Sequence, residues 1–184
     1  MKNYTQFIWI NMNKENKKLL EDLYLKHTKK NYPNFPEFAI PPEKFSDASA
    51  NDLTKTICKF ITYIGGQAER ISNQGQYRDN TKVVTDVLGR KRTIGTASWT
   101  KGQGTNGTAD ISSTIPIKMK NGQTIGLSLK IEVKFGKDRM SQAQGRYKEE
   151  IEKTGGRYMI AKDFDSFLIE FRELYKSYLW TTSQ

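Results

Sequence analysis

The chain contains very little cysteine or histidine, and their scarcity rules out several kinds of chemistry. Its 184 residues include one cysteine, Cys58, and one histidine, His27. A single thiol cannot form an internal disulfide, and no Cys and His spacing resembles a zinc site. We therefore expect a reducing, cytoplasmic location and no zinc. No Ser, His and Asp set can be assembled around His27, which we expect to be solvated.

Long apolar runs are also missing. No stretch approaches the roughly 18 apolar residues that a membrane-spanning helix needs, so we expect neither a membrane partner nor secretion. The glycine-rich stretch at 102–107 lacks the Gly-Lys-Ser or Gly-Lys-Thr of a phosphate-binding loop, which argues against a nucleotide cofactor. At this length one domain with a terminal arm can bury a sufficient core without disulfides or a structural metal.

Acidic residues are outnumbered, and the basic excess is clustered. Thirty Lys and Arg against twenty Asp and Glu give a net charge of +10. The segment 78–101 holds six of the basic residues and only two acidic ones. Such a cluster favours a polyanionic partner, although a solvated basic loop would have the same composition. The candidate contacts to the backbone of such a partner are Arg90, Lys91, Arg92 and Lys101.

Proline is concentrated in one place. Four of the five prolines lie between residues 33 and 42, a density that excludes a helix or a central strand and indicates a linker. A weakly amphipathic helix is predicted before it, from Lys17 to Lys29. We therefore divide the chain into an N-terminal accessory arm with a Pro-rich linker, 1–46, and a main domain, 47–184. The arm is a candidate dimerisation element.

Hydrophobic periodicity in the main domain predicts an α/β fold. A helix begins near Ser49 and ends at Gly65 and Gly66. A short strand follows over 67–72, and after a long polar segment come two strands over 109–119 and 123–135. A helix over 141–154, a strand over 157–161 and an amphipathic helix from Phe164 complete the order. This order predicts a mixed, mainly antiparallel sheet flanked by helices.

The sequence LSLKIEVKF, residues 127–135, alternates apolar and polar side chains without a break. Alternation places successive residues of a strand on opposite faces, so Glu132 and Lys134 share the polar face. Two registers with the preceding strand are possible through Asn121 and Gly122. A two-residue turn would mix apolar and polar faces, whereas a three-residue loop with Gly122 in the left-handed conformation keeps them separate. The second register places Asp110 opposite Glu132.

Two opposed carboxylates need a cation. Directly paired residues have β-carbons about 4.5 to 5.5 Å apart. Two like charges at about 5 Å repel by roughly 3 kcal/mol at an effective dielectric of about 20. The cation is either a lysine of the same face, Lys130 or Lys134, which makes an ion cluster, or a hard divalent ion such as Mg²⁺.

These residues resemble a known family. Gly107-Thr108-Ala109-Asp110, then Glu132-Val133-Lys134, then a helix opening Ser141-Gln142-Ala143-Gln144, are similar to the PD-(D/E)XK nuclease core and most of all to its VRR-NUC branch. The resemblance covers residues 49–171 and implies a restriction-endonuclease-like core with an added N-terminal helical and linker arm. The long insertion at 73–104 departs from shorter members.

The resemblance also implies a chemistry and a set of roles. Asp110, Glu132 and the backbone carbonyl of Val133 would bind Mg²⁺ or Mn²⁺, Lys134 would assist hydrolysis, and Gln144 would help to organise the site. The implied activity is metal-dependent DNA endonuclease, acting on branched, flap or junction DNA in replication, repair or recombination, with a homodimer as one possibility. The alternative is a DNA-binding module of the same fold that does not cleave.

Several assignments have a second interpretation. Ser141 and Gln144 have the spacing of a capping box, so Gln144 has either a structural role or a role in the site. Asp52 has the same ambiguity with Ser49, and there we expect the capping role. Three aromatic residues are able to stack on bases, but we expect each of them to pack in the core: Tyr77, Trp99 and Tyr147.

Overall fold

The computed structural model describes residues 12–72, 75–100, 102, 104–119 and 121–181. Its helices are α1 (Lys14–Asn31), α2 (Ala50–Tyr63), α3 (Gln142–Lys153) and α4 (Phe164–Thr181), with a 3-10 turn at Glu37–Ala39. Its strands are β1 (Gln67–Arg70), β2 (Gln76–Asp79), β3 (Lys82–Thr85), β4 (Lys91–Ile94), β5 (Ala97–Thr100), β6 (Ile111–Lys118), β7 (Thr124–Val133) and β8 (Arg157–Ala161).

The main sheet has the strand order β1-β6-β7-β8. β1 pairs with β6 and β6 with β7 in antiparallel fashion, whereas β8 lies parallel to β7. Because parallel neighbours need a crossover, α3 connects β7 to β8. The predicted mixed, mainly antiparallel sheet flanked by helices is confirmed.

The central hairpin has the register that alternation favours. Ile111 pairs with Ile131, and Ile115 with Leu127. The connecting loop closes with a hydrogen bond from the Met119 N–H to the Gln123 carbonyl, 2.8 Å, and Gly122 has φ +82°. A positive φ at this position is accessible to glycine at little cost, so the three-residue loop forms without backbone strain.

The core lies between one face of the sheet and the helices α2 and α4. The apolar residues of β6 and β7 alternate into it, as their sequence predicts. Phe60 of α2 contacts Phe164, Phe167 and Phe171 of α4 edge to face, with ring centroids 5.2 to 6.0 Å apart. These two helices therefore cover the apolar face of the sheet, whereas Gln144 and Tyr147 of α3 contact Glu132 and Tyr158 on the opposite face.

The N-terminal helix is packed against the rest of the chain. Leu20 of α1 is completely buried in the same core cluster as the sheet residues. Asp47 connects the segment before α1 to the start of α4, because its carboxylate accepts hydrogen bonds from the N–H groups of Met12 and Phe164. His27 lies against the Tyr63 ring, with centroids 5.1 Å apart. The division of the chain at residue 46 stays a prediction.

The insertion forms a two-stranded β arm, which the sequence did not predict. β2 pairs with β5 and β3 with β4 in one continuous register, so residues 76–100 make a single long hairpin with a break near residues 80–81 and 95–96. Every residue from 76 to 100 is exposed except Asp86. We call residues 76–100 the β arm.

The β arm overturns part of the aromatic prediction. Tyr77 and Trp99 face each other across β2 and β5, and 64% and 65% of their surfaces are exposed. The expectation that they pack in the core was wrong, because the arm has no second layer. Tyr147 is half-buried and contacts the ring of Tyr158 edge to face.

Within the described ranges, no helix has both the length and the apolar character needed to cross a bilayer.

Candidate active site

The predicted site residues come together at one end of the hairpin. Asp110 directly precedes β6, Glu132 is the penultimate residue of β7, and Lys134 directly follows that strand. Gln144 lies in the first turn of α3, which follows β7 in the chain. The pairing of β6 with β7 and the short connection to α3 therefore bring four separated residues to one place.

Glu132 is the centre of this cluster. Its Oε1 accepts a hydrogen bond from the side-chain amide of Gln144 and lies 2.9 Å from the ammonium of Lys134. Its Oε2 lies 3.4 Å from the hydroxyl of Tyr158, which donates to it. The side chain is only 3% exposed, so nearly all its polar contacts are to protein. A buried carboxylate needs such partners, because desolvation without them is costly.

Lys134 is a buried cation between two carboxylates. Its Nζ lies 2.9 Å from Glu132 and 3.2 Å from Oδ2 of Asp138, and its side chain is 7% exposed. Its main chain is fixed as well, since its N–H donates to the Ala161 carbonyl at 2.8 Å. The ammonium is therefore positioned by β7, β8 and the turn after β7.

Asp110 is held by both its main chain and its side chain. Its Oδ2 accepts a hydrogen bond from the N–H of Val133 at 2.8 Å, and its carbonyl accepts one from Ile71 at 2.8 Å. The ladder between β6 and β7 begins at Ile111, so continuing the pairing by one residue brings Asp110 beside Glu132. The two carboxylates are thus neighbours, as the register predicts.

The electrostatics of the site follow from burial and close charges. Burial raises the pKa of Glu132, the Asp110 carboxylate raises it further, and hydrogen bonds from Lys134 and Tyr158 oppose this shift. Burial acts to lower the pKa of Lys134, but its bonds to Glu132 and Asp138 outweigh it, and the net shift is upward. Burial and the negative charge of Glu132 also raise the pKa of Tyr158. Lysine and tyrosine therefore both keep their protons and remain donors at neutral pH.

Gln144 combines the two roles that the sequence left open. Its Oε1 accepts from the Ser141 N–H at 2.8 Å, and the Ser141 hydroxyl accepts in turn from the Gln144 N–H, which completes a capping box. Because the amide oxygen faces a donor, the Nε2 group faces Glu132 and donates to it. One side chain therefore caps α3 and positions the central carboxylate.

We expect Gln144→Glu to separate these roles. Glutamate is also a capping-box residue, so α3 keeps its cap, but it cannot donate to Glu132 and adds a like charge beside it. DNA cleavage, the activity that the resemblance implies, should fall at matched folded fractions, and stability should fall by about 1 to 3 kcal/mol because the buried Glu132 carboxylate loses a donor. Ser141→Ala is the matched control, because it removes a capping bond and leaves the contact to Glu132. Loss of activity in Ser141→Ala equal to that in Gln144→Glu would contradict a separate role at the site.

Other sequence candidates lie elsewhere or have partners of their own. Asp52 accepts a hydrogen bond from the Ser49 hydroxyl at 2.8 Å, while its N–H donates to the same hydroxyl, so it serves the cap of α2. Lys130 donates to the Ser112 hydroxyl. Of the two lysines that we considered as the cation, the structure therefore pairs Lys134, and not Lys130, with Glu132.

Three of the four basic candidates belong to the β arm. Arg90 follows the turn between β3 and β4, and Lys91 and Arg92 begin β4. All three are exposed. Lys101 lies outside the described residues.

Sequence reasoning missed three contributors. Tyr158 reaches Glu132 only because β8 is parallel to β7, and a local pattern does not encode that register. Asp138 lies four residues after Lys134 in a turn, where no periodicity marks it. Gly107 has φ +82°, and a β-carbon there would lie 2.4 Å from the carbonyl group of Ala143 in α3. Gly107 is part of the motif on which the family resemblance rests, but the sequence did not predict that it lies so close to α3.

The ability of the site to hold a metal rests on its oxygen donors. In the part of the chain that the structure describes, no group of three or more His, Cys, Asp or Glu residues is placed to hold a metal ion. The neighbouring Asp110 and Glu132 carboxylates supply two donors. Magnesium is commonly held by only one or two protein carboxylates, with water or substrate oxygens completing its shell.

Comparisons of the chain with protein-family models, with curated proteins and with solved structures find no match.

Proposed function

We propose that this protein is a Mg²⁺- or Mn²⁺-dependent nuclease of the PD-(D/E)XK type, similar to the VRR-NUC branch, that hydrolyses DNA phosphodiester bonds. The observation that carries the proposal is the convergence of Asp110, Gln144 and Lys134 on the buried Glu132. Two carboxylates, a fixed ammonium and an amide donor at one sheet end suit phosphodiester hydrolysis, which requires charge neutralisation and a positioned water. A restriction-endonuclease-like core is part of this proposal.

The residues present fit a hard divalent ion. Asp110 and Glu132 would hold it together with the backbone carbonyl of Val133, an all-oxygen set of the kind that Mg²⁺ and Mn²⁺ prefer. When bound, such an ion makes a coordinated water more acidic and neutralises charge on the phosphate. Oδ1 of Asp110 is the atom we assign to the ion, because Oδ2 already accepts from Val133.

The chain's own residues supply the remaining functions. Hydrolysis forms a bond between the oxygen of water and phosphorus and breaks the bond to the leaving oxygen, which takes up a proton. The ammonium of Lys134 donates to the attacking water or to a phosphate oxygen on which charge builds up. Gln144 and Tyr158 fix the orientation of Glu132, so that the carboxylate does not have to reorganise when substrate binds.

The basic residues of the β arm are proposed to contact the phosphate backbone. Arg90 and Arg92 lie near Asp86, with charged atoms 3.7 and 3.9 Å apart, but about two thirds of each guanidinium-bearing side chain is exposed. Contacts of this type give salt-dependent binding with little base discrimination. Selectivity would then come from the shape of the DNA, and we propose branched, flap or junction substrates.

One observation favours a second candidate. Glu132 already has Lys134, Gln144 and Tyr158 as partners, so the cluster is stable as an ion network without a metal. A DNA-binding module of the same fold that does not cleave would retain the β arm and use this cluster only for stability.

Cleavage of end-labelled DNA tests the proposal directly. Linear duplex, single strand, flap and four-way junction of matched sequence are incubated with Mg²⁺, with Mn²⁺ or with EDTA. We expect metal-dependent cutting that is stronger on branched substrates and is suppressed by EDTA. Binding without cutting under both metals would reject the nuclease and support the non-catalytic module.

A further inference from the structure

The β arm presents apolar side chains at its extreme end. The turn between β3 and β4 places Val87 and Leu88 at the tip, where they are 102% and 70% exposed. Turn positions normally carry Asn, Asp, Gly, Ser or Pro, because these residues suit the backbone geometry and solvate well. Two adjacent large aliphatic residues at such a position need a different explanation.

The tip is built as an ordered turn. The Asp86 carboxylate accepts hydrogen bonds from the N–H groups of Leu88 and Arg90, at 2.9 and 2.8 Å. The main chain adds bonds from Asp86 to the Arg90 carbonyl and from Gly89 to the Asp86 carbonyl, both 2.9 Å. Gly89 has φ +77°, which glycine adopts at little cost. Val87 and Leu88 are therefore presented by a fixed scaffold, which lowers the entropic cost of binding through them.

The arm as a whole lacks a core of its own. Its strands expose Tyr77, Val83, Ile94 and Trp99 in addition to the tip. A two-stranded hairpin by itself is marginally stable in water, and exposed apolar surface of this extent marks an interaction site. The arm is therefore expected to gain stability from an occupant.

The charge of the arm favours DNA as that occupant. Five Lys or Arg residues lie in 76–100 against two Asp, and three of them, Arg90, Lys91 and Arg92, directly follow the tip. A two-stranded β ribbon is able to enter a groove of duplex DNA, and proteins that bind the minor groove insert apolar side chains between base steps and unstack them. A positively charged ribbon with an apolar end combines both properties.

The connectivity places the arm at the catalytic end of the sheet. β1 leads into it and the chain returns from it to Asp110, whose carbonyl accepts a hydrogen bond from Ile71 just before the arm. DNA held along the arm is thereby kept near the carboxylates. We propose that the arm is the element that recognises branched DNA, with Val87 and Leu88 inserted as a wedge into the base stack at the branch point. This inference rests on the proposed nuclease function and explains how the nuclease would select branched DNA.

Branched DNA is the favoured target for an energetic reason. Insertion between base pairs requires unstacking, and unstacking costs least where the stack is already interrupted. Within a continuous duplex the same insertion is opposed by full stacking. The wedge therefore discriminates by DNA structure, whereas the basic residues bind any backbone.

The test compares a tip variant with a matched surface variant in the full-length chain. Val87→Ser with Leu88→Ser removes the apolar tip and leaves the Asp86 hydrogen bonds, which involve only backbone donors. Ile169→Ser is the control, because Ile169 of α4 is also an exposed aliphatic residue, at 64%. Binding is measured in EDTA to a four-way junction and a linear duplex that carry 2-aminopurine at the branch point or the equivalent position. Cleavage is measured separately with Mg²⁺ or Mn²⁺.

The tip variant is expected to lose its preference for the junction and to keep its binding to linear duplex. The parent and Ile169→Ser should raise 2-aminopurine fluorescence on the junction, whereas the tip variant should not. The tip variant should bind the junction about tenfold more weakly, the factor expected from leaving a Leu side chain exposed, and bind linear duplex as the parent does.

Each contrary result has a distinct meaning. Unchanged fluorescence and junction preference in the tip variant, with metal-dependent cleavage by the parent intact, would overturn the wedge and leave the nuclease proposal standing. A change from dimer to monomer in the DNA-free tip variant would also overturn it, because the occupant would then be a second copy of the chain. A tip-dependent fluorescence change without cleavage by the parent under either metal would support the wedge and reject the nuclease.

Discussion

Replacement of Lys134 by methionine is expected to slow metal-dependent cleavage by roughly two to three orders of magnitude and to destabilise the fold. Methionine fills similar volume but cannot donate to Glu132, so the carboxylate loses its cation inside the protein. Removing one partner of a buried ion pair typically costs about 3 to 5 kcal/mol. Loss of a donor that stabilises developing charge lowers turnover by about 100- to 1,000-fold. Urea unfolding and single-turnover cleavage measure the two effects separately.

The pH dependence of the stability loss has a defined sign. A carboxyl whose pKa is raised in the folded state binds protons more strongly there than in the unfolded chain, so lowering the pH favours folding. Burial already raises the pKa of Glu132, and removal of Lys134 raises it further. The deficit of Lys134→Met relative to the parent should therefore be smaller near about pH 5 than near about pH 8. A deficit that grows on acidification would contradict the buried-pair account.

Lys130→Met is the matched control for this variant. Lys130 lies in β7, four residues before Lys134, and donates to the Ser112 hydroxyl instead of to Glu132. We expect cleavage by Lys130→Met to match that of the parent. Equal losses in the two variants would indicate that general charge on this face, rather than the position of Lys134, supports activity.

A metal titration distinguishes a catalytic centre from an ion cluster. A ligand that binds only the folded state raises stability by about 2.7 kcal/mol at 100 times its dissociation constant. Magnesium or manganese should therefore raise the melting temperature of the parent and leave that of Glu132→Ala unchanged. If neither ion stabilises the parent, the result would favour an ion cluster in which Lys134, Gln144 and Tyr158 hold Glu132 without a metal.

The hairpin that carries the site could be predicted because the sequence features that determine its register lie close together in the chain. Alternation over 127–135 determines which residues share a face, and of the two loops that Asn121 and Gly122 allow, only the three-residue loop keeps the apolar and polar faces separate. The neighbouring positions of Asp110 and Glu132 follow from that register. The carboxylate pair is thus encoded within about 25 consecutive residues, a range over which pattern and turn chemistry act.

The contacts that complete the site are not local. Tyr158 reaches Glu132 across a parallel pair whose register is set by the length and packing of α3. The β arm was missed because its four-residue strands are exposed on both faces, so they have no alternation to detect. We expected Tyr77 and Trp99 in the core because they are large and aromatic. Aromatic character alone does not show whether a second layer of structure covers a strand, and in the arm both residues are exposed.

Gly107→Ala is expected to impair cleavage strongly although no proposed catalytic group changes. A β-carbon at Gly107 would lie 2.4 Å from the Ala143 carbonyl carbon and oxygen and 2.6 Å from the Gln144 nitrogen, all backbone atoms. The loop or the first turn of α3 must therefore move. The loop leads into Asp110 three residues later, and the helix turn carries Gln144, so movement of either displaces a group that contacts the site.

Gly122→Ala is the control that separates the steric overlap at Gly107 from the strain of a left-handed backbone. Gly122 has the same φ of +82°, but a β-carbon there meets no atom within 4 Å. Both variants should lose about 1 to 3 kcal/mol of stability from the left-handed conformation. Only Gly107→Ala should lose about 100-fold in cleavage, the effect of displacing catalytic groups by about 1 Å. Equal cleavage by the two variants at matched folded fractions would show that the contact between the loop and α3 does not position Asp110 and Gln144.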